Sequence, residues 1–208
     1  FRIGMQFDLD AVGQVAGRLV DQHMPAGDAE QALVAREEEA AGVRERAAAA
    51  KTLAAETARQ ITEGGFLGQV EHLIFSDNRQ RTIGAKRQAL VDISRGEYFA
   101  FVDDDDAISP DYVAKLLEGI RTGADVITFR QQCIYNGQEG IIEFGLNHHD
   151  HPFRPGEVTK RAPWHVCAWK RERVATCQFG ETNYGEDCIW CQQARRRIAS
   201  GWHIDAIL

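Results

Sequence analysis

No apolar run in these 208 residues approaches the roughly 20 needed to cross a bilayer, which excludes a helical membrane span. Cysteine is scarce: Cys133, Cys167, Cys177, Cys188 and Cys191 are odd in number and confined to the second half. That is no secreted disulfide framework, and a reducing cytoplasm is the expected compartment. Basic residues are outnumbered, 24 against 31 acidic, and the net charge of -7 argues against a surface that tracks nucleic acid along its whole extent. There is no internal repeat. What is present, 44% hydrophobic residues, 26% charged and ten Phe, excludes wholesale disorder. The length suits one sizeable core, or a modest domain with an appendage.

Composition changes near residue 64. Ala26 to Ala58 holds 13 Ala and 11 charged residues with no Pro, a strong helix-forming composition. Val43, Ala47, Ala50, Leu53, Thr57 and Ile61 recur at three- and four-residue steps and make a thin apolar stripe. Two readings stay open: a solvated helix lying against the main domain, which the Ala-rich stripe favours, or a helical arm that builds a homo-oligomer. Before it, Arg2–Phe7 is a candidate strand and Ala11–His23 a candidate helix stopped by Pro25. Residues 1–64 are thus expected to form a helical N-terminal segment with a candidate first strand, and 65–208 the main domain.

Beyond Gly65 strands and helices alternate. Val70–Phe75 is a short apolar run ending in the turn formers Ser76, Asp77 and Asn78. Helical spacing follows over Ile83–Ser94, then Tyr98–Val102 (YFAFV) reads as a fully buried strand. Ser109-Pro110 is a helix start, with Val113, Leu116, Leu117 and Ile120 as its buried face. Asp125–Phe129 is a further strand, and Asn136-Gly137 a hairpin turn between Ile134 and Ile141. A helix begins at Cys188-Ile189-Trp190, after Gly185-Glu186-Asp187, and runs to about Ser200, and Ile204–Leu208 is a last strand. Such alternation predicts an α/β domain with a mainly parallel sheet covered on both faces and its ligands at the carboxyl ends of the strands.

At one of those ends stand Asp103, Asp104, Asp105 and Asp106, directly after YFAFV. Four adjacent carboxylates repel one another, and without compensation at least one takes up a proton. A divalent cation removes the conflict; hard oxygen ligands suit Mg²⁺ or Mn²⁺, and Mg²⁺ prefers one or two carboxylates plus phosphate oxygens. Capping the next helix asks for one or two acids, and four exceed that role.

The stretch IFSDNRQRTIGAKRQALVDISRGEYFAFVDDDDAISPDYV resembles the nucleotide-sugar-binding half of a family 2 glycosyltransferase, its phage and prophage members in particular. The likeness is close over Val70–Val113 and looser to Leu208. It implies a GT-A fold, a Rossmann-like mixed, mainly parallel sheet flanked by helices, and a nucleoside-diphosphate donor, a UDP-sugar or GDP-sugar. By the same resemblance Asp103 and Asp105 are the outer members of a D-x-D motif, Asp105 on the metal and Asp103 on the ribose or the metal shell. Asp77, Gly84, Lys86, Arg87 and Asp104 fall on the nucleotide side, with Gly84 admitting close approach of its helix. An exposed helix face is the competing reading for Lys86 and Arg87.

Inverting transfer needs a base to take the proton of the acceptor hydroxyl. The family places it in an E-D pair opening a late helix, which here is Glu186-Asp187, with Asp187 the base and Glu186 on the acceptor. Trp164 and His165 fall in the region that helps to form the family's acceptor pocket. Ordinary helix capping is the competing reading for the acidic pair. Cys188 and Cys191 have C-x-x-C spacing without a second zinc pair, so packing is expected of them. The His-rich loop Asn147–His151 carries no spacing that fixes a metal.

The chain departs from the family in its front part, where an Ala-rich insert separates RIGMQF from Val70: either an elaboration, or a fused segment with the first strand lost. Two rivals to a metal-dependent transferase follow. One is a degenerate, non-enzymatic interaction module with an oligomerisation arm. The other is a nucleotidyltransferase acting on sugar phosphates, which asks for a glycine-rich basic loop near the first strand that this chain lacks.

Overall fold

The computed structural model describes residues 45, 47–77 and 80–208, and residues 3–10 by their backbone. The candidate helix at Ala11–His23, Pro25, Val43 and the turn residue Asn78 lie outside the described residues. In chain order the elements are β1 (Ile3–Asp10), α1 (47–63), β2 (Val70–Asp77), α2 (Ile83–Ile93), β3 (Tyr98–Asp103) and α3 (Tyr112–Ile120). There follow β4 (Val126–Tyr135), β5 (Gln138–Phe144), β6 (Val158–Arg161), β7 (Ala168–Lys170), α4 (Arg171–Val174), α5 (Glu186–Arg195) and β8 (Gly201–Ile207).

The strands form one mixed sheet in the order β2-β1-β3-β7-β4-β5-β6, with β8 paired to β4. Its first three strands are parallel, and their register brings the acidic strand ends together: Asp10 pairs with Asp77, and Asp8 with Asp103. The short β7 then joins β3 and β4, antiparallel to both. The candidate strand RIGMQF is therefore found, from Ile3 onward, as β1 of this sheet, between β2 and β3.

β3 forms where five consecutive bulky or apolar residues, Tyr98 to Val102, are all buried, as a strand covered on both faces requires. The β4–β5 hairpin turns on Asn136 and Gly137, whose φ values of 51° and 72° are the left-handed pair that a two-residue turn needs. α3 starts later than Ser109-Pro110 suggests. Its N-cap is Asp111, which makes no side-chain cap bond. Gln60 supplies the missing partner from α1: its Oε1 accepts from Val113 N at 3.1 Å while its Nε2 donates to Ser109 O at 2.8 Å. A side chain from a distant helix has replaced the local cap.

The apolar stripe of α1 is used in the same way, since Ala50, Leu53, Thr57 and Ile61 are buried against the domain. The core's centre is aromatic. Trp190 of α5 stacks on Phe179 at 5.0 Å and meets Trp169 edge-on at 5.1 Å, with Phe99 at 5.8 Å. Rings of this size bury on the order of 150–250 Å² each, so this cluster is the main anchor for α5 and for the residues at its start.

Candidate active site

Five side chains from four parts of the chain close a ring at the carboxyl end of β3. Arg87 of α2 is its first bridge: Nη2 donates to Asp103 Oδ1 at 2.7 Å, and Nη1 to Glu186 Oε1 at 3.1 Å. His165, in the turn before β7, is the second: Nε2 lies 3.0 Å from Asp103 Oδ2, and Nδ1 3.6 Å from Asp187 Oδ2. Glu186 and Asp187 are chain neighbours, which completes the circuit.

Each member is held by its own element. Thr82 caps α2 by accepting from Ala85 N, which fixes the helix start, and Gly84, Arg87 and Leu90 then share the buried face. A Cβ on Gly84 would lie 1.7 Å from the Gly180 carbonyl oxygen. The close approach that Gly84 permits is therefore to the 180–186 loop, the segment that delivers Glu186 and Asp187. Gly84 N donates to Thr182 O and Ile83 N to Asn183 Oδ1, so the loop is tied to the start of α2. At the head of α5, Asp187 Oδ1 accepts from Cys188 N at 2.7 Å. His165 is placed by the preceding residue, because Trp164 O accepts from both Trp169 Nε1 and Cys167 N.

The charges explain the ionisation. Burial works to raise the Asp103 carboxyl, but His165 and Arg87 outweigh it and hold it far below the usual carboxylate range. Asp106 goes the other way. Burial, then the neighbouring charges of Asp103 and Asp105, push it up to about 7. Its carboxylate has a long contact with Gln131 Nε2 at 3.4 Å. The conflict expected of four adjacent acids thus falls on Asp106.

The other expected residues spread around this ring. Lys86 is fully buried and Arg87 6% exposed, so the exposed-face reading of the pair does not hold. Glu186, expected on the acceptor, is 5% exposed, with one carboxylate oxygen on Arg87. Asp77 ends β2, and its Oδ2 accepts from Arg81 N at 2.9 Å, outside the ring. Trp164 lies beneath the Arg195 guanidinium, 5.3 Å from its ring centre. Asp104 is half-buried. Asp105 is exposed and, with Asp106, Gln131 and Gln132, lines a cavity of about 550 Å³. Sequence reasoning missed Asp106, and the backbone register that sets Asp10 opposite Asp77 and Asp8 opposite Asp103. An acid ending a short apolar strand was the available signal.

Among the described residues no three His, Cys, Asp or Glu side chains converge as a ready-made metal site. The donor set nevertheless suits a hard cation that takes one or two carboxylates and completes its shell with phosphate oxygens. Asp105 and Asp106, which line the same cavity, are the fitting pair, since a cation there would offset the burial and the neighbouring charges that raise Asp106. Both Asp103 oxygens are already engaged by nitrogen donors, which sets it behind these two.

A family model described as Glycosyl transferase family 2 matches residues 55–166, over half of the chain. No curated protein matches it. Among solved structures the chain is similar to S. aureus TarS 1-349 in complex with UDP-GlcNAc, at 10% identity and a TM-score of 0.58, over 99% of this chain and 56% of that one. A second structure of S. aureus TarS 1-349 matches at 16% identity and a TM-score of 0.49, over 70% and 44%. The chain spans about half the length of the TarS structures, and at these identities the likeness is one of fold.

Proposed function

The chain belongs to glycosyl transferase family 2 and has its GT-A fold, and from this we propose that it moves a sugar from a nucleoside-diphosphate donor to an acceptor hydroxyl, with inversion. The observation that carries the reading is the ring, which sets Asp187 beside the acidic end of β3 although the two lie far apart in the chain.

Asp187 is the base. As the acceptor oxygen attacks the anomeric carbon, its O–H proton passes to Asp187, the new C–O bond forms, and the bond from carbon to the diphosphate oxygen breaks. The electron pair leaves on the phosphate, so one displacement suffices and no covalent intermediate forms. Asp105 and Asp106 would hold a Mg²⁺ or Mn²⁺ ion, which when bound neutralises charge on the diphosphate. Asp103 orients the turn from behind, and Arg87 acts by holding Asp103 and Glu186 rather than by meeting the phosphates. Asp77, at the end of β2, is offered to the nucleoside. TarS was solved with UDP-GlcNAc, so UDP-sugars are the first donors to test, followed by GDP-sugars. Trp164 and the cavity beside Asp105 are offered to the acceptor and the transferred sugar.

The test is a thermal-shift screen of UDP- and GDP-sugars with and without Mn²⁺, followed by hydrolysis assays on any donor that raises the melting temperature. Asp187→Asn is expected to keep donor binding and lose turnover. Full turnover by that variant would remove Asp187 from the reaction, and a screen in which no nucleotide sugar binds would remove the transferase reading itself.

A further inference from the structure

His165 belongs to neither acidic motif, yet its imidazole spans both. The ring is 4% exposed and packs at 6.3 Å from Phe101 and 6.2 Å from Trp164. Nε2 is fixed on Asp103 Oδ2 at 3.0 Å. Nδ1 is buried, has no hydrogen-bond partner among the described residues, and faces Asp187 Oδ2 at 3.6 Å. That gap is too long for a hydrogen bond; with Nε2–H given to Asp103, the contact is attractive when Nδ1 carries a proton as well, that is, in the imidazolium form.

The geometry of Asp187 gives this contact a purpose. Its Oδ1 is held by the amide of Cys188 at the head of α5. The terminal torsion of an aspartate is broad, so one such bond leaves the carboxylate free to swing. A second contact on Oδ2 fixes its plane, and a carboxylate oxygen retains a further acceptor position for an incoming hydroxyl. We propose that His165 is a positioning residue for the transfer: it orients the Asp187 carboxylate and references it, through Asp103, to the donor end of β3. The inference rests on the reading of Asp187 as the base.

Arg87 ties Asp103 to the head of α5 through Glu186, so that link persists when His165 is lost. What is lost is alignment, and misplacement of a reacting group by about 1 Å can cost on the order of 100-fold in rate.

The test uses the full chain with UDP- and GDP-sugars as donors and water as acceptor. It compares wild type, His165→Ala, His165→Gln, Asp187→Asn and the His165→Ala/Asp187→Asn double variant. His165→Ala is expected to lower kcat about 10- to 100-fold with donor KM within about twofold. The double variant is expected to be no slower than Asp187→Asn alone, since His165 acts through that carboxylate. His165→Gln keeps a donor for Asp103 but cannot also face Asp187, so it is expected to stay slow; it also serves if the alanine variant fails to fold. Full activity in His165→Gln, or losses that multiply in the double variant, overturn the role given to His165 while leaving Asp187 as the base. An unimpaired Asp187→Asn, or a wild type that turns over no donor, overturns the underlying reading and the inference with it.

Discussion

Arg87 and Glu186, 99 positions apart, meet at 3.1 Å with both side chains inside the protein. The same guanidinium reaches Asp103 at 2.7 Å, so one cation offsets two carboxylates. Its charge also lies over the face of Phe101, 5.7 Å from the ring centre. Removing one partner of a buried ion pair leaves uncompensated charge behind, at a cost of about 3–5 kcal/mol. Arg87→Ala is therefore expected to lower unfolding stability by that order, read from the urea midpoint. Arg87→Lys keeps the charge but not the fork, and should fall between. A midpoint unchanged by Arg87→Ala would mean that the ring holds nothing together.

Asp106 makes stability depend on pH in the opposite sense to most acids. Its folded-state pKa, pushed up to about 7 by burial and by Asp103 and Asp105, lies above its ordinary value of 3.8. Between those values the folded state binds the proton and the unfolded state does not. Stability from this group accordingly falls as pH rises from about 4 to 7, by at most about 1.4 kcal/mol per unit. Asp103, held far below its ordinary value, supplies stability above about pH 4 that is lost on acidification. Asp106→Asn is expected to remove the decline, so the wild-type-minus-variant difference in urea melts should slope downward from pH 4.5 to 7.5. A flat difference would show that the acidic turn relieves its charge in another way.

A cation at this turn should act on the same slope. Mn²⁺ or Mg²⁺ is expected to raise the wild-type melting temperature more at pH 8 than at pH 5, where Asp106 holds a proton. With UDP added, calorimetry on wild type should show binding that depends on Mn²⁺. Asp105→Asn should weaken it about tenfold or more, equivalent to about 1.4 kcal/mol. Binding of UDP indifferent to both the ion and the substitution would place the ion elsewhere or nowhere.

Much of this was legible in the sequence where the signal is local. The run YFAFV becomes β3, Asn136-Gly137 becomes the hairpin turn, and the four acids of the turn stand out as a run, while the pair at the head of α5 is marked by the family resemblance. What escaped is contact between distant residues. Nothing local tells that Gln60 replaces Ser109 as the partner of α3, or that His165 meets Asp103 across 62 positions. The burial of Arg87 had a readable trace: Gly84, Arg87 and Leu90 recur every three residues, so the charge shares a face with a core leucine. β7, three residues long, carries too short a pattern to be recognised, and it is β7 that turns a parallel beginning into a mixed sheet.

Gly84 gives a separate check on how the loop before α5 is positioned. A methyl group there meets the Gly180 carbonyl at 1.7 Å, and Glu186 Cβ at 3.1 Å. Backbone cannot yield as a side-chain tip does, so the loop must move. Gly84→Ala is expected to cost about 1–3 kcal/mol by overpacking and to reduce turnover at least about tenfold by displacing Asp187. Turnover equal to wild type, with the variant folded, would show that the loop position does not matter.

Residues 1–64 offer the remaining choice, between an appendage and a part of the main fold. β1 pairs with β2 on one side and β3 on the other, and α1 buries Leu53 and Ile61 in the common core. Gln60 also completes the start of α3, directly after the acidic turn. An appendage can be cut away without loss, whereas removing an inner strand leaves the edge strand β2 and the buried strand β3 without their ladder partner and exposes their hydrogen-bonding groups. A chain beginning at residue 65 is therefore expected to lose cooperative unfolding and to bind apolar dyes. Cooperative melting of the 65–208 fragment by circular dichroism would support the boundary at residue 64 and make β1 an addition to a domain that folds without it.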